Sequence, residues 1–293
     1  MTEDPFVAHR SLLFTVAYEM LGSAADAEDV VQETWLRWAD LGAAAQQHVR
    51  DPRAYLVRIV TRQALNRLRT MARQREEYVG EWLPEPLLTS PDVAEDVELA
   101  ESVSFAMLTV LETLGPTERA VFVLREVFET PYDEIAEAVD KAPAAVRQIA
   151  HRAREHVAAR RPRRVQVSRA EQEAVVERFL AAVRGGDLQG LLDVLAHDVV
   201  VVADGGGVVP AVKRPVEGAK RVSQLFGLLG KSVVDFEAIP MVLNGAPAAR
   251  FEIDGELAAV VNMVIEDGRI TRIYAVNNPH KLGRLDEEAE LSR

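Results

Sequence analysis

Arg147, Gln148, His151 and Arg154 have the types and spacing to read a DNA duplex. They lie off an apolar stripe of Val146, Ile149, Ala150, Ala153 and Val157 that recurs at helix spacing. Arg and Gln make bidentate hydrogen bonds to guanine and adenine edges, and the remaining cations can hold phosphates. A second set, Arg62, Asn66 and Arg69, shares a face with Arg58 and Arg73, opposite a stripe of Leu56, Ile59, Val60, Ala64 and Leu68. Cations near aromatics, here Trp35, Trp38 and Tyr55, suit a single strand with splayed bases. Periodicity assigns Trp38 to the core. A third set, Asp26, Glu28, Asp29 and Glu33, is acidic; it would repel DNA and suits a basic protein partner.

Covalent chemistry has weaker candidates. The chain has no cysteine, which excludes a disulfide framework, a thiolate zinc site, an iron–sulfur cluster and a cysteine nucleophile. Acid–base work would fall to His197, Asp198, Asp204, Arg250, Asn262, Tyr274 and His280, whose spacing singles out no pair. His197 and Asp198 are expected in an exposed helix-to-strand turn, and Tyr274 in a strand with a satisfied hydroxyl. No catalytic residue, metal or cofactor is expected.

These side chains are distributed over a chain of 293 residues, a length that suggests about two domains. The net charge of -12 argues against a polyanionic partner, but its distribution reverses that inference. Residues 50–75 hold eight Arg and one acid, and residues 141–164 hold eight Lys or Arg and one acid. Between them, residues 81–110 hold seven acids and no base, so two basic surfaces flank an acidic spacer. No apolar run reaches the roughly 18–20 residues that span a bilayer, and the first ten residues lack the order of a secretory signal. A cytoplasmic protein without membrane attachment is expected.

The predicted organisation is multidomain. An all-α segment, 1–79, contains a helix opened by a capping box of Ser23 and Asp26 and another opened at Pro52. A Pro-rich linker, 80–92, follows, and its Trp82-Leu83-Pro84-Glu85-Pro86 places an aromatic where a solvated linker has no use for one, so Trp82 is expected to dock. A second all-α segment, 93–164, has a helix from Pro116 and then a helix-turn-helix. Its short helix, 131–138, has Thr130 as cap; a turn at 139–142 leads to the long helix from Pro143, where Ala142 is a poor cap. Residues 168–282 read as α+β: helices to about Leu195, then an antiparallel sheet from 199–202, 233–239, 251–253, 257–265 and 270–276. Asn244-Gly245, Asp254-Gly255 and Asp267-Gly268 are hairpin turns. The tail, 283–293, is charged, and 286–293 is expected to fray.

Together these motifs resemble the extracytoplasmic-function sigma factors of bacterial RNA polymerase. Residues 26–35 (Asp-Ala-Glu-Asp-Val-Val-Gln-Glu-Thr-Trp) are similar to the region 2 helix that docks on the polymerase clamp. Residues 51–56 through Asn66-Arg67-Leu68 resemble the part that melts the minus-ten element. Residues 114–122 and Tyr132-Asp133-Glu134-Ile135-Ala136 resemble region 4, which reads the minus-thirty-five element. The third segment resembles a SnoaL-like extension, a cone of the nuclear-transport-factor type carried by one subfamily. That subfamily's Trp-Leu-Pro-Glu-Pro motif is intact at Trp82–Pro86. Its Asp-Gly-Gly-Gly-Lys motif stands as Asp204-Gly205-Gly206-Gly207 with Val208 for Lys, and its Asn-Pro-Asp-Lys-Leu motif as Asn278-Pro279-His280-Lys281-Leu282 with His for Asp.

The resemblance implies a sigma factor with region 2 at 1–79, region 4 at 93–164 and a SnoaL-like regulatory domain at 168–282. Asp29, Gln32 and Glu33 are expected to dock on the clamp of the polymerase's largest subunit, with region 4 reaching the flap of the second-largest. Arg62, Asn66 and Arg69 are assigned to the melted strand, and Arg147, Gln148, His151 and Arg154 to the duplex. The extension is expected to act in cis, without a separate anti-sigma factor. It would touch Trp82, Pro84 and Pro86 through Asp204, Gly205, Gly206 and Gly207 or through Asn278, Pro279, Lys281 and Leu282. The alternative is a DNA-binding regulator whose SnoaL-like domain binds a small-molecule effector or retains isomerase or hydrolase activity.

Overall fold

The helix α1 (Pro5–Leu21) is capped by Asp4, whose carboxylate accepts from the Phe6 amide at 2.9 Å. From Leu12 to Leu21 it is buried on every side, whereas its first turns leave Val7, Ala8 and Arg10 exposed. Helices α2 (Ala24–Asp40), α3 (Gly42–Gln46) and α4 (Pro52–Glu76) follow, and α1 packs chiefly on α2 and α4. This computed structural model describes residues 4–90, 92–93, 96–161, 168–209, 211–212, 214–232 and 235–293, with backbone alone at 72–76 and 230–232. The side chain of Arg73, and Val233 as a strand start, lie outside the described residues. The expected capping box of α2 is only half made. Ser23 accepts from the Asp26 amide at 3.2 Å, but the Asp26 carboxylate turns to Arg67 on α4 at 2.6 Å. A cation across the helix pair outcompetes the local backbone N–H, because charge-assisted hydrogen bonds are the stronger kind.

Helices α5 (Val97–Ser102), α6 (Phe105–Leu111), α7 (Pro116–Phe122, continued by a π-helical turn, Val123–Val127), α8 (Tyr132–Val139) and α9 (Pro143–Arg160) form the second helical unit. The α8–α9 turn passes through Asp140 in the left-handed conformation, and α9 starts at Ala142 with no side-chain cap. Thr130 does not cap α8: the N-cap is Pro131, and Thr130 is buried with its amide donating to Leu124 O at 2.9 Å. The strain-free φ of proline starts the helix without a side-chain bond. Helices α1, α2 and α4 to α9 share one continuous core, to which α3 contributes no buried residue.

The remainder is α10 (Arg169–Gly185), α11 (Leu188–Val194), β1 (Leu195–Asp204), β2 (Val216–Glu217), α12 (Ala219–Ser232), β3 (Phe236–Leu243), β4 (Ala246–Ile253), β5 (Glu256–Glu266) and β6 (Arg269–Val276). The strand order is β2-β1-β6-β5-β4-β3. The expected all-antiparallel sheet is in fact mixed, because β1 and β6 run parallel. A parallel pair needs a crossover, and the intervening hairpins and α12 supply it. Helix α12 was not anticipated; Gly227 and Gly230 interrupt its apolar pattern. The three predicted turns are present, with φ of 52° and 72° at Asn244-Gly245, 54° and 76° at Asp254-Gly255, and 50° and 71° at Asp267-Gly268.

One face of the sheet packs on its own helices, around an edge-to-face aromatic chain of Phe179, Phe226 and Phe251. The other face, with Leu243, Ala248, Val260, Tyr274 and Val276, is covered by Leu83 from the linker, Phe105 from α6, and Leu282 and Leu285. Leu83 and Phe105 are each 1 % exposed. Fully burying side chains of this size contributes about 1.5–3 kcal/mol apiece, enough to tie the two halves together.

The tail does not fray. The Ala289 amide donates to Leu88 O at 2.8 Å, the Ser292 amide to Thr15 Oγ1 at 3.1 Å, and Arg293 pairs with Asp96 and Glu98. The linker offers a backbone carbonyl and α1 a hydroxyl oxygen as acceptors along its path, so a charged sequence is ordered by partners that its composition does not reveal.

Candidate interdomain clasp and nucleic-acid interface

Asp204 closes β1 and is fully buried. Its Oδ2 accepts from the Leu83 amide at 2.9 Å and from Lys281 Nζ at 2.7 Å. Its Oδ1 accepts from Tyr78 Oη at 2.5 Å and from the Gly206 amide at 3.0 Å. Lys281 also donates to Leu83 O and stands 4.0 Å from the Trp82 ring centroid. Both segments expected to meet the linker therefore do so at one point, around the linker's Leu83. A buried carboxylate needs this many donors, since desolvation otherwise exceeds the Coulomb gain.

The backbone shapes the site as tightly as the charges do. Parallel pairing sets Asp204 beside Val276, and Asp204 O accepts from the amides of Asn277 and Asn278 at 2.8 and 2.9 Å. Asn278 caps the short turn begun by Pro279 and donates Nδ2 to Tyr78 Oη at 2.9 Å. Gly206 has φ 61°, and a Cβ there would sit 2.4 Å from Asn278 Nδ2, so a side chain is excluded. Gly205 and Gly207 flank it, and Leu282 packs beside Leu83. Burial, then the Asp204 carboxylate, pushes the Tyr78 hydroxyl well above its ordinary value. Val208, the position of the missing lysine, is exposed.

The linker's other end is anchored by residues the sequence reading passed over. Pro84 and Pro86 are buried, but the polar contacts come from Leu83 and Glu85. The Glu85 carboxylate accepts from Ser23 Oγ and the Ala25 amide, each at 3.2 Å, which caps α2 from outside. The Glu85 amide donates to Gly22 O at 2.9 Å, and the Trp82 ring lies where a Gly22 Cβ would need to be, 3.0 Å away. Beyond it, Asn244 of the β3–β4 turn enters the joint between α1, α5 and the linker. Asn244 and Tyr78 carried no motif signal beyond a hairpin turn and a helix end.

A second buried node lies between α1 and α7. Glu19 Oε1 accepts from Ser102 Oγ at 2.7 Å, and Arg119 Nε donates to Glu19 O at 3.0 Å while its Nη1 meets Glu112. Glu19 Oε2 and Arg119 Nη2 have no hydrogen-bond partner among the described residues. Burial pushes the Glu19 carboxyl up to about 8.

On the faces assigned to nucleic acid, Arg147, Gln148 and His151 project from α9 into solvent. Arg154 differs: it is held by Glu126 at 3.0 Å and by the Tyr132 hydroxyl, which it pulls below its ordinary value. Arg125 and Arg147 flank the Tyr132 ring at 4.8 and 5.6 Å. On α4, Arg62, Asn66 and Arg69 are exposed, yet Arg62 Nη2 donates to Glu137 O on α8 at 2.7 Å. On α2, Asp29, Gln32 and Glu33 are exposed on the surface that also carries Trp35 and Leu36, 46 % and 54 % exposed. Asp29 pairs with Arg67 at 3.0 Å and Glu33 accepts from Gln63 at 2.8 Å.

The acid–base candidates are dispersed. His197, Asp198 and His280 are exposed, but His197 and Asp198 lie within β1 and not in a turn before it. Asp204 serves the clasp, Arg250 pairs with Glu252 and Asp286, and Asn262 donates to Leu243 O at 3.3 Å. The Tyr274 hydroxyl lies 3.4 Å from Thr109 Oγ1 of α6, against the helical half.

Residues 6–74 match the Sigma-70 region 2 family and residues 104–157 the Sigma-70 region 4 family. The chain is 35 % identical to the ECF RNA polymerase sigma factor SigJ of Mycobacterium tuberculosis, over 96 % of this chain and 93 % of that protein. It is 34 % identical to the probable ECF RNA polymerase sigma factor SigI of the same organism, over 96 % and 94 % of the two chains. The crystal structure of Mycobacterium tuberculosis SigJ superposes with a TM-score of 0.73 at 34 % identity, covering 94 % of this chain and 96 % of that one. Two sigma regions in order, followed by the α+β extension, place this chain in the extracytoplasmic-function sigma factors of RNA polymerase, which initiate transcription.

Proposed function

We propose that the chain directs core RNA polymerase to a promoter set, with its C-terminal cone as the regulator in cis. Asp29, Gln32 and Glu33, bordered by Leu36 and Trp35, dock on the clamp of the largest subunit; an exposed apolar pair rimmed by acids is what a basic partner surface recognises. Region 4 reaches the flap of the second-largest subunit. Arg62, Asn66 and Arg69 hold the melted minus-ten strand. Arg147, Gln148 and His151 read the minus-thirty-five duplex, and Arg154 positions Tyr132 beneath Arg147.

The observation that carries the cis regulation is the Asp204 site. It joins β1, the turn after β6, and the linker that separates the two DNA readers, using four donors to one buried carboxylate. A cone packed on that linker sets the separation of the readers without touching DNA. The cone does no catalysis in this reading: its outer sheet face is filled by Leu83 and Phe105, and its acid–base residues do not converge. It needs no separate anti-sigma factor, and it acts in the cytoplasm, where RNA polymerase works.

Reconstituted transcription on a genomic promoter library tests this, comparing the full chain with Lys281→Met. Promoter-specific transcripts that depend on the added chain are expected, at a level that Lys281→Met changes. No transcripts from either protein with active core enzyme would refute the sigma reading; equal transcripts from both would refute the clasp.

A further inference from the structure

Three arginines of region 4 converge on one phenol, that of Tyr132. Arg125, from the π-helical turn, stands 4.8 Å from the ring centroid, and Arg147, from α9, stands 5.6 Å from it. Arg154, two turns further along α9, hydrogen-bonds the Tyr132 hydroxyl and pairs with Glu126 at 3.0 Å. The backbone is bent at this meeting point. The π-helical turn, Val123–Val127, carries an extra residue in its turn, and such insertions recur at functional sites. Just beyond it Glu129 has φ 51°, a left-handed conformation that is costly for a residue with a Cβ. Arg125 Nη1 holds that corner by donating to the carbonyls of Glu129 and Thr130 at 3.3 and 3.1 Å.

The three guanidiniums differ in which donors stay open. Arg125 donates to two carbonyls, and Arg154 to a carboxylate and a phenol. Arg147 meets the ring instead. Contact with a ring face uses no N–H, so the donors of Arg147 remain available to an acceptor. The major-groove edge of guanine offers two acceptors, O6 and N7, that match the guanidinium fork. A long, exposed arginine loses rotamer freedom when it engages a base, and one already held against a ring has lost part of that freedom beforehand.

We propose that Tyr132 is a positioning residue for promoter reading: its ring holds the Arg147 guanidinium in place with the N–H donors open, so that the arginine meets its base already ordered. This rests on the assignment of Arg147 to the duplex and adds a residue that acts through it. The tyrosine is itself fixed, because its ring packs against the helical core. The ring therefore stays in place whether or not the hydroxyl is present.

The test uses the holoenzyme, the full chain with core RNA polymerase, on a promoter that it transcribes, with each base pair of the minus-thirty-five element replaced in turn. Competition between the parent promoter and each substituted one gives a discrimination ratio at every position. Loss of folded protein lowers binding to all promoters alike and leaves these ratios unchanged. Tyr132→Leu and Tyr132→Gln both remove the ring, Tyr132→Phe removes only the hydroxyl, and Arg147→Ala marks the position that Arg147 reads. The expected result is a ratio lowered about fivefold by either ring-less variant at the Arg147 position alone, kept by Tyr132→Phe, and not lowered further when Tyr132→Leu is added to Arg147→Ala. Ratios equal to the parent in both ring-less variants overturn the proposal. So does an equal fall at every position, a loss in Tyr132→Phe as large as in Tyr132→Leu, or an undiminished effect in the Arg147→Ala background. If Arg147→Ala itself leaves every ratio unchanged, the proposal falls as well, and the failure lies in the duplex assignment of Arg147.

Discussion

Tyr18 and Asn244, 226 residues apart in sequence, share a buried hydrogen bond of 2.7 Å. The Asn244 amide donates to the Tyr18 hydroxyl, which donates onward to Glu85 O at 2.8 Å. Asn244 Nδ2 also reaches Val103 O at 2.8 Å, and its Oδ1 accepts from the Leu87 amide at 2.9 Å. One side chain of the cone thus closes a joint between region 2, the linker and the start of region 4. Every one of these groups is buried, so none can fall back on water.

Replacing Asn244 by Ala should therefore cost more than its size suggests. It strands the Leu87 amide and the Val103 carbonyl, and places a Cβ-bearing residue without a compensating side-chain bond at φ 52°. A loss of about 3 kcal/mol is expected in urea unfolding, with proteolysis appearing between residues 87 and 103. Asn244→Gly, which relieves the backbone but not the bonds, should recover only part of it.

Lys281→Met keeps the aliphatic stem over Trp82 and removes the charge beside Asp204. Breaking a buried pair on one side costs about 3–5 kcal/mol, because the remaining carboxylate is left uncompensated. Asp204→Asn combined with Lys281→Met should be less destabilised than the sum of the two single changes. A double-mutant cycle by denaturation, with protease cutting near Trp82 as the local readout, measures that coupling.

Glu19 makes the closed chain sensitive to pH. Its carboxyl is pushed up to about 8 by burial, with Ser102 and Arg119 opposing, so it is protonated in the folded protein near neutrality. Unfolded, it ionises near the ordinary carboxylate value. The folded state therefore binds more protons between roughly pH 4.5 and 8, and stability contributed by this group falls as pH rises through that window, on the order of 1 kcal/mol per pH unit. Glu19→Gln stays neutral throughout. Its urea midpoint should change less between pH 5.5 and 8 than that of the parent chain.

Two cations on α9 should separate by their partners. Arg147→Ala is expected to relax promoter selectivity at one position by about 1–3 kcal/mol in a duplex-binding series. Arg154→Ala should instead weaken binding evenly across sequences and lower stability by about 1 kcal/mol, because its guanidinium is spent on Glu126 and Tyr132.

Leu36→Ala on the exposed face of α2 should reduce affinity for core polymerase without moving the melting temperature, and Asp29→Arg should reduce it with a small loss of stability from its pair with Arg67. Leu36 is 54 % exposed, so nothing in the fold depends on it. About tenfold loss for Leu36→Ala, read by competition with a labelled sigma factor, would match an anchoring apolar contact.

Much of this molecule was legible in its amino-acid order. The stripes of α4 and α9 and the three hairpin turns follow from local period and from residues that tolerate positive φ. So did the docking of the linker, since proline-bounded aromatics have no role in water. What escaped was whatever depends on a distant partner. Helix α12 hid behind Gly227 and Gly230, and the charged tail looked frayed until Leu88 and Thr15 were seen to hold it. The mixed sheet is the decisive case. Only parallel pairing of β1 with β6 brings Asp204 beside Val276, and so brings Lys281 round to the linker. Sequence periodicity reports which face of an element is buried. It carries no record of which strand lies alongside, and a buried charge finds its counter-ion through that neighbour.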